Sequence, residues 1–479
     1  MMWWVLGLMA CGTSPNPEPH DLKVEERLGL LEALAGNDGW TAQRGSYSFL
    51  DHTNCCVPGA NCLWNNPSTP YGFLGVPPAP GQTAVDAMVM PDGTARAFHF
   101  RQDEVIVLLG QTPPEARYYS WRSYLMLRPD FPEPEPILGS LGASTNNAVV
   151  ADQLGDAFDR PFALVTSGDL GQELRVRSLL RQAGFAESEI FTDRITEGYV
   201  NYGLGDESDV LMQVGRTSMI ADPDAQAAFY ADPPFEVLRL TPEVALSAFE
   251  PHSEPDLPVR GTGSTEEAWR DAQEQLGEAL RTALVELGTE PLEAEATAFW
   301  FETLGCMEDP GYCSGDIRDR HYERVPSFYM PTDDSFAVAY GVNHERTGKA
   351  TYSNVAVDTV TNMIGLEAVN SVQMVGSAAA FLPGHPQVDD LFVQVFARRC
   401  DTFDGWPCVE VPYTCPGVPV DEQMLISFRA YLEPQTGAAP LETELVPSKV
   451  LLYVPEEASP STGSGTTSGA PSDTGVQGP

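Results

Sequence analysis

The side chains that carry acid–base and nucleophilic chemistry are densest between residues 340 and 354. This stretch contains His344, Lys349, Tyr352 and Ser353, and proton transfer and nucleophilic attack both use these residue types. It lies between apolar segments, and loops that join such segments often carry binding and catalytic residues. A hairpin loop with exposed charges explains the same composition equally well, so both interpretations are open.

Two predicted strands flank a short loop in this stretch. Residues 336–342 are apolar and residues 349–357 alternate, so the loop at 343–348 should project His344 toward solvent or into a cleft. Side chains alternate along a strand, which places Tyr352 and Asn354 on one face, and we expect that face to accompany His344. The candidate binding residues are Asn343, His344, Tyr352 and Asn354, and the candidate catalytic residues are His344, Lys349 and Tyr352.

A second candidate binding site immediately precedes a predicted helix over residues 265–287. The run Arg260-Gly261-Thr262-Gly263-Ser264 stands at the start of this helix. A helix N-terminus attracts anions, and Arg260 would add positive charge. A flexible loop followed by a helix cap is the simpler interpretation, because Ser264 and Glu267 match the S/T-x-x-E capping box.

The sequence predicts no metal site and no cofactor. It contains no H-E-x-x-H and no G-x-S-x-G, and residues 340–354 depart from a phosphate-binding loop because Asn343 stands where that loop requires Gly. Zinc bound by His52, Cys55, Cys56 and Cys62 is an alternative, but C-x₂-C spacing is lacking. Calcium is another, on residues 206–209 and 222–224, although neither has the spacing of a calcium loop. The charged residues 316–321 should pair with one another as a solvated network.

The cysteines point to an oxidising compartment. Nine are present, and setting aside Cys11 leaves an even number in three clusters within loops rich in Gly and Pro. We expect all of these to form disulfides, with Cys306 bonded to Cys313 across a Pro-Gly turn and at least one bridge between the other two clusters. The cysteines concerned are Cys55, Cys56, Cys62, Cys306, Cys313, Cys400, Cys408 and Cys415.

Composition narrows the class of protein. The chain has 479 residues and a formal net charge of −41, so it has no basic surface with which to bind nucleic acid. Its hydrophobic content is 42%, which is close to the globular norm and sufficient for a sizeable core. Gly and Pro, 42 and 41 residues, predict a loop-rich fold.

The periodicity predicts mixed β-sheets with a few long helices, an α/β or α+β fold stapled by disulfides. A strand at 161–167, a helix at 170–183 and a strand at 189–195 are the strongest α/β signal. Further strands are predicted at 84–90, 94–100, 104–109, 116–127, 210–214, 236–240, 336–342, 349–357, 391–397, 424–432 and 449–454. The aromatic residues of the strand at 116–127 could stack on carbohydrate, but core packing is the commoner use.

The first eleven residues form a short apolar run that ends Leu8-Met9-Ala10-Cys11. The run is too short to span a membrane and is typical of an export signal. Its last four residues resemble the lipobox of bacterial lipoproteins. That resemblance covers residues 1–11 alone and implies a lipid on the thiol of Cys11, cleavage before it, and a membrane anchor.

Four segments follow from these patterns. We expect a signal at 1–11, a Pro-rich spacer at 12–20, a globular body at 21–455 with a break near 250–262, and a disordered tail at 456–479 rich in Ser, Thr, Gly and Pro. The leading hypothesis is a lipid-anchored protein of the outer membrane or cell surface that acts as a binding or envelope-interaction module. The alternative is an exported hydrolase with a site around His344. The sequence leaves the ligand or protein partner open.

The lipid anchor can be tested on the mature protein. We expect cleavage before Cys11 and acylation of its thiol and α-amino group, because the apolar run ends at this residue. Mass spectrometry of the N-terminal peptide from membranes should show the lipid mass on Cys11. A mature N-terminus at another residue, without lipid, would contradict the assignment.

Overall fold

A computed structural model describes residues 22–50, 65–129, 136–253, 257–298, 313, 315, 317–361, 363–414 and 417–455. The predicted signal, the spacer, the tail and the cysteines Cys55, Cys56, Cys62, Cys306 and Cys415 lie outside these residues. So does His52 of the zinc alternative. The fold combines mixed and antiparallel sheets with several helices, which confirms the α+β form of the prediction.

The described residues of the first half of the chain form two β-sheets and four α-helices. Sheet A has the strand order β1-β13-β6-β10-β11, and sheet B has the order β2-β3-β12-β5-β4, with β7 also paired to β12 and β8 and β9 paired to β7. The elements in chain order are α1 Val24–Asn37, β1 Trp40–Arg44, β2 Ser46–Phe49, β3 Tyr71–Gly75, β4 Ala87–Val89, β5 Ala95–His99, β6 Val105–Gln111, β7 Ala116–Leu127, β8 Gly139–Ser140, β9 Thr145–Asn146, α2 Asn147–Leu154, β10 Pro161–Ser167, α3 Leu170–Gln182, β11 Ile190–Arg194, β12 Val210–Ile220, α4 Pro223–Ala231 and β13 Phe235–Pro242.

The second half again contains two sheets, here with two helices in the described residues. Sheet C has the order β14-β23-β17-β20-β21, and sheet D has the order β15-β16-β22-β18-β19. The elements are α5 Arg270–Glu286, β14 Leu292–Glu295, β15 Thr297–Ala298, β16 Arg320–Arg324, β17 Phe336–Val342, β18 Tyr352–Thr359, β19 Gly365–Asn370, α6 Ser371–Met374, β20 Leu391–Ala397, β21 Cys408–Glu410, β22 Met424–Tyr431 and β23 Lys449–Tyr453. None of the described helices is long and apolar enough to cross a membrane.

The layers are set by which faces of the sheets are apolar. In the first half, α1 and α3 cover one face of sheet A, and the other face packs against sheet B. In the second half, α5 covers sheet C, whose other face packs against sheet D. Sheets B and D meet in the middle, where Tyr118 contacts Tyr431 with ring centroids 4.7 Å apart. The order of layers is therefore helix, A, B, D, C, helix.

The two halves repeat one topology. In each, a helix leads into a strand that crosses from the outer sheet to the inner one, as β1 and β2 do in the first half and β14 and β15 in the second. Both outer sheets have the same strand order and end in a parallel pair, β10 with β11 and β20 with β21. The inner sheets correspond through β2-β3-β12-β7 and β15-β16-β22-β18. No repeat of fixed period is visible in the sequence, because loops and additional elements differ in length between the halves. The predicted break near 250–262 falls between β13 and α5.

Most predicted elements are present. The strands at 116–127, 161–167, 336–342 and 391–397 have the predicted bounds. The strands predicted at 84–90 and 94–100 exist as β4 and β5, paired antiparallel around a turn at Gly93. Several boundaries differ from the predicted ones, and β12, predicted at 210–214, continues to Ile220. Helix α5 begins at Arg270 after a short 3₁₀ turn, without a side-chain cap, and β18 begins at Tyr352 because residues 344–350 form hydrogen-bonded turns.

One disulfide is described completely. Cys400 and Cys408 are bonded, with their Cα atoms 5.8 Å apart, which confirms the disulfide-stapled character of the fold. Cys313 is also disulfide-bonded, and its predicted partner Cys306 lies outside the described residues. The predicted bridge between the first and third clusters concerns cysteines outside them as well.

Two groups of residues that were considered as surface groups are buried. The aromatic residues of β7 form no surface for stacking, since Tyr118, Tyr119, Trp121 and Tyr124 are all at most 1% exposed. The charges after Cys313 are not solvated as expected, because Asp319 and Arg320 are 1% and 2% exposed. Both groups lie within the protein because β7 and β16 belong to the inner sheets.

The crossing between sheets A and B requires Gly45. A Cβ atom at this position would lie 2.3 Å from the carbonyl oxygen of Gly75 and 2.8 Å from Cγ1 of Val237. In the second half the corresponding crossing residue is Ala296, whose amide donates to Ser448 as that of Gly45 donates to Val237. The smaller Ser448 leaves room for a methyl group there.

We therefore predict that Gly45→Ala lowers the free energy of unfolding by about 1–3 kcal/mol, because the backbone carbonyl must move to admit the methyl group. Gly36→Ala is the matched control. Gly36 lies in α1 with nothing within 4 Å of an added Cβ, so this change should stabilise by about 0.5–1 kcal/mol. Urea unfolding of the two variants checks the difference, and equal effects would contradict the packing argument.

Candidate functional site

A cavity lies between sheets B and D, where the central strands of the two halves face each other. Alternate residues of β12 and of β22 point into it, because side chains alternate along a strand. These residues are Met212, Val214 and Arg216 on β12, and Leu425, Ser427 and Arg429 on β22. The cavity offers about 60 Å³ to the centres of water-sized atoms, which is room for a small molecule of several non-hydrogen atoms.

The lining follows the repeat of the fold. Arg216 on β12 pairs with Tyr71 on β3, and Arg429 on β22 pairs with Tyr322 on β16. The strands on the other side of β12 and β22 are equivalent as well. Met212 pairs with Tyr124 on β7, and Leu425 pairs with Asp358 on β18. Each half thus supplies one arginine and one tyrosine from equivalent positions to a single shared cavity.

Arg216 is buried without a carboxylate partner among the described residues. It is 3% exposed, its Nη1 donates to the Tyr124 hydroxyl at 2.9 Å, and its guanidinium lies 5.1 Å from the ring centroid of Tyr71. The described part of the chain provides no acceptor for its Nε. A buried guanidinium normally requires a carboxylate or a full set of acceptors, and Arg216 has neither.

Arg429 differs from Arg216 in having a carboxylate beside it. Its Nη2 lies 3.3 Å from Oδ1 of Asp358, and both side chains are at most 3% exposed. Asp358 also accepts a hydrogen bond from the Ser427 hydroxyl. Nε and Nη1 of Arg429 find no acceptor among the described residues, so the pair is only partly satisfied.

The electrostatic field at the cavity is positive. Burial alone would raise the pKa of Tyr71, but attraction of its phenolate form by Arg320, Arg216 and Arg429 outweighs burial and holds that pKa below its usual value of 10. Burial likewise raises the pKa of the Asp358 carboxyl, against the opposing attraction of Arg429. Three guanidinium groups therefore act together on a single phenol.

This arrangement can bind an anion that carries a short apolar body. Guanidinium groups bind carboxylate and phosphate through charge-assisted hydrogen bonds, which gain strength in a site shielded from water. Leu138, Met212, Val214 and Leu425 form an apolar part of the wall, and Glu323, Arg324 and Ser427 also line the cavity. Few polar groups in a mostly apolar cavity are the usual composition of a small-molecule site.

His344, the centre of the sequence-based site, is buried and paired with a distant carboxylate. Its Nδ1 lies 2.9 and 3.0 Å from the carboxylate oxygens of Glu266. The residue is 6% exposed, so it does not project toward solvent, which was one of the two predicted orientations. Burial disfavours the imidazolium, but the charge and hydrogen bond of Glu266 outweigh this and raise the pKa of His344 above 6.5. Glu266 also accepts from Thr347 and from the amide of Val446, which holds the 343–348 turn against the start of α5.

Lys349 and the glycine loop before α5 bind the chain's own carboxylates. Nζ of Lys349 lies 2.7 Å from Glu433 and 2.5 Å from Glu444. The amides of Thr262 and Gly263 donate to the same Glu444 carboxylate at 3.1 and 2.6 Å. The loop thus behaves as the predicted anion cradle, but its anion is Glu444. The Arg260 guanidinium donates to the carbonyl oxygens of Arg320 and Ile317.

The other predicted site residues point in different directions. Nδ2 of Asn343 donates to the carbonyl of Ser371 at 2.8 Å, and the Ser353 amide donates to the Ser371 hydroxyl. Tyr352 packs on Tyr431 with ring centroids 5.1 Å apart, and Asn354 donates to Asn66 in the first half. Tyr352 and Asn354 therefore share the interface between the halves, while His344 lies with Glu266. Gly348, Ala350 and Thr351 line a separate open groove between the halves.

The acidic residues considered for calcium have structural partners. Asp209 pairs with Arg128 at 2.9 Å, and Asp222 caps α4 by accepting from the amides of Asp224 and Ala225. Within the residues that the structure describes, no group of three or more His, Cys, Asp or Glu is placed to hold a metal ion.

Arg216, Arg429 and Tyr71 were not among the site residues predicted from the sequence. One signal was available. Arg216 and Arg429 each interrupt a strand that is otherwise mostly apolar, at a position where the two-residue period places a buried side chain. An arginine in a buried strand needs a partner, and the sequence does not show that the two strands face each other.

Comparisons with known proteins give little to set beside this geometry. No family model and no curated protein matches the chain. A solved structure of an uncharacterized protein from Burkholderia cenocepacia is similar at a TM-score of 0.37 with 12% sequence identity, over 89% of this chain and 86% of that one. A TM-score this low supports no conclusion about fold or function.

The pairing of His344 with Glu266 predicts a pH-dependent contribution to stability. The folded-state pKa of His344 is raised, so its contribution is fully present below about pH 6.5 and is lost as pH rises through the folded value. Below about pH 6.5, His344→Gln should lower the free energy of unfolding by about 3–5 kcal/mol, because Glu266 is left buried without its cation. The cost should shrink as pH rises, when measured by urea unfolding at several pH values.

His252 provides a control of opposite sign. Burial lowers its pKa, so its contribution is present above about pH 6.5 and is lost as pH falls through the folded value. The stability difference between wild type and His252→Gln should therefore fall toward acid pH. Parallel pH profiles for the two variants would contradict the assignment.

Proposed function

We propose that the protein is an exported binding module that holds a small organic anion in the cavity between sheets B and D. The proposal combines the module expected from the sequence with the cavity at Arg216 and Arg429. The anionic group of the ligand contacts Arg216, and its apolar body lies against Met212, Val214 and Leu425.

The observation that carries the proposal is the buried charge of Arg216. Moving a charged side chain out of water without a partner costs several kcal/mol, which the fold must offset elsewhere. A fully packed interface between the halves would avoid that cost with an apolar residue of similar size. A ligand with a carboxylate or phosphate group would provide the counter-ion for this buried guanidinium.

The size and composition of the cavity narrow the ligand class. The space suits several non-hydrogen atoms, and four aliphatic side chains form much of the wall. A short-chain carboxylate fits these limits better than an inorganic ion, because the apolar wall would remain unfilled around an ion alone. The aromatic rings of Tyr71, Tyr124 and Tyr322 complete the enclosure.

Export and lipid anchoring are part of the same proposal. The disulfide between Cys400 and Cys408 supports an oxidising compartment, and the N-terminal run ending at Cys11 resembles a lipobox. A tethered binding module at the outer membrane or cell surface is consistent with both. The strongly acidic surface would keep such a protein soluble.

Binding is favoured over the hydrolase alternative by the arrangement around His344. His344, Lys349 and Tyr352 contact three different sets of residues, namely Glu266, the pair Glu433 and Glu444, and Tyr431. A nucleophile and its base need to lie within hydrogen-bond reach of each other. The described contacts of these three side chains include no such pair.

Binding of butanoate to the purified full-length mature protein tests the proposal, with butanamide as the uncharged analogue. We expect butanoate to bind at least about tenfold more tightly, because a hydrogen bond to a charged group contributes about 1.5–3 kcal/mol. Isothermal titration calorimetry and ligand-observed NMR measure the two affinities. Arg216→Met should remove the preference for butanoate while leaving the melting temperature unchanged or higher, since an apolar side chain replaces an unpaired buried charge.

Arg117→Met is the matched control, because it removes one arginine from a side chain that is 52% exposed. This variant should bind butanoate as the wild type does. Equal affinity of the wild type for butanoate and butanamide would refute the proposal. So would unaltered binding by a folded Arg216→Met variant.

A further inference from the structure

The repeat of the fold makes the cavity a pair of equivalent half-sites, and the two differ in polarity or charge at two positions. Tyr71 corresponds to Tyr322 and Arg216 to Arg429 through identical strand pairings. By the same registers, Tyr124 corresponds to Asp358 and Val214 to Ser427. The second half thus carries a carboxylate and a hydroxyl where the first carries a phenol and an aliphatic side chain.

These two differences give the half-sites different charges. Asp358 lies 3.3 Å from Arg429 and accepts a hydrogen bond from Ser427, so the second arginine has its counter-ion within the chain. Among the described residues, Arg216 donates to the Tyr124 hydroxyl and lies over the rings of Tyr71 and Tyr124, and it forms no salt bridge with a carboxylate. The half-site of Arg216 is therefore open to an anion, while Asp358 places a negative charge beside Arg429.

Charged side chains of both signs surround the cavity. Four arginines surround it, of which Arg216, Arg320 and Arg429 are buried and Arg324 is half-buried. Three buried carboxylates oppose them, on Asp319, Glu323 and Asp358. Asp319 accepts from Tyr118 at 3.0 Å, and Oε2 of Glu323 accepts from the amide of Ser448.

We infer that the cavity selects monoanions, with the acid group of the ligand at Arg216 and a neutral far end beside Asp358 and Ser427. Asp358 is the specificity-determining residue, because it repels a second anionic group that Arg429 would otherwise attract. This inference rests on the proposed binding function and names the ligand class for that site. A dicarboxylate of the same length is excluded by charge, not by shape.

The wild-type protein tests the inference without a substitution. Monomethyl succinate and succinate have similar lengths. Monomethyl succinate has a methyl ester at the end where succinate has its second carboxylate. At about pH 8, where both acids are ionised, calorimetric titration should show monomethyl succinate binding at least about tenfold more tightly, the factor expected from about 1.4 kcal/mol of repulsion. Succinate binding equally or more tightly would overturn the inference.

Asp358→Asn tests the role assigned to the carboxylate. The change keeps the shape of the side chain and frees the charge of Arg429, so the ratio of the two affinities should move at least about tenfold toward succinate. Asp222→Asn is the matched control, because it removes the same charge from an exposed helix cap where Asn serves as well as Asp. Its ratio should equal that of the wild type.

The outcomes separate this inference from the proposed function. If the wild type binds monomethyl succinate but a folded Asp358→Asn variant keeps the wild-type ratio, the selectivity argument fails and the anion site stands. If the wild type binds neither monomethyl succinate nor butanoate, the proposed function itself fails. Should Asp358→Asn fail to fold, the wild-type comparison alone decides the inference.

Discussion

The central constraint on this structure is the burial of guanidinium charge between two β-sheets. Arg216, Arg320 and Arg429 are at most 4% exposed, and each must be placed where tyrosine hydroxyls, carbonyls or carboxylates can face it. Nη2 of Arg320 donates to the carbonyl of Gly315 at 2.9 Å, Arg429 approaches Asp358, and Arg216 reaches Tyr124. The contact of Arg216 lies within sheet B and that of Arg429 within sheet D, so each inner sheet provides partners for its own buried arginine. The apolar residues around them make each missing partner costly.

The repeated topology explains why these charges meet. Two copies of one unit, each with a helix, an outer sheet and an inner sheet, pack with their inner sheets facing. A residue on the face of an inner sheet that points toward the other half can then lie close to its own counterpart near the centre of the interface. An arginine at that position would by itself produce two like charges at close range, which is unfavourable. Asp358 relieves the repulsion on one side, and the cavity remains where the halves do not fill the space.

The loop before α5 shows the same chemistry satisfied within the chain. Backbone amides of residues 262 and 263 and the ammonium of Lys349 converge on Glu444, much as they would on a bound anion. Here the carboxylate is covalently part of the protein, so the cluster fixes the loop and contributes no vacant site. The contrast with Arg216 is informative, because a similar set of donors has an acceptor in one place and lacks it in the other.

The local elements and the class of fold could be predicted from patterns in consecutive residues. Strands with a strict period or a long apolar run, such as 161–167 and 391–397, were predicted with their observed bounds, because burial of one or both faces leaves a pattern in consecutive residues. The same patterns indicated mixed sheets with a few helices, and the clustered cysteines indicated disulfide staples. Residues 343–351 were harder to assign, since their turns depend on Glu266, Tyr431 and other residues that are far away in the chain.

The repeat, the cavity and the partners of the charged side chains depend on packing between elements that are distant in the chain. The equivalence of Arg216 and Arg429 rests on strand pairing, which joins residues remote in sequence and leaves no fixed period when loop lengths differ. Residue type indicated that His344, Lys349 and Tyr352 can do chemistry, but not that each would be committed to a separate contact. The sequence alone specifies which groups are available, and the packing of sheet B on sheet D decides which of them face a common space.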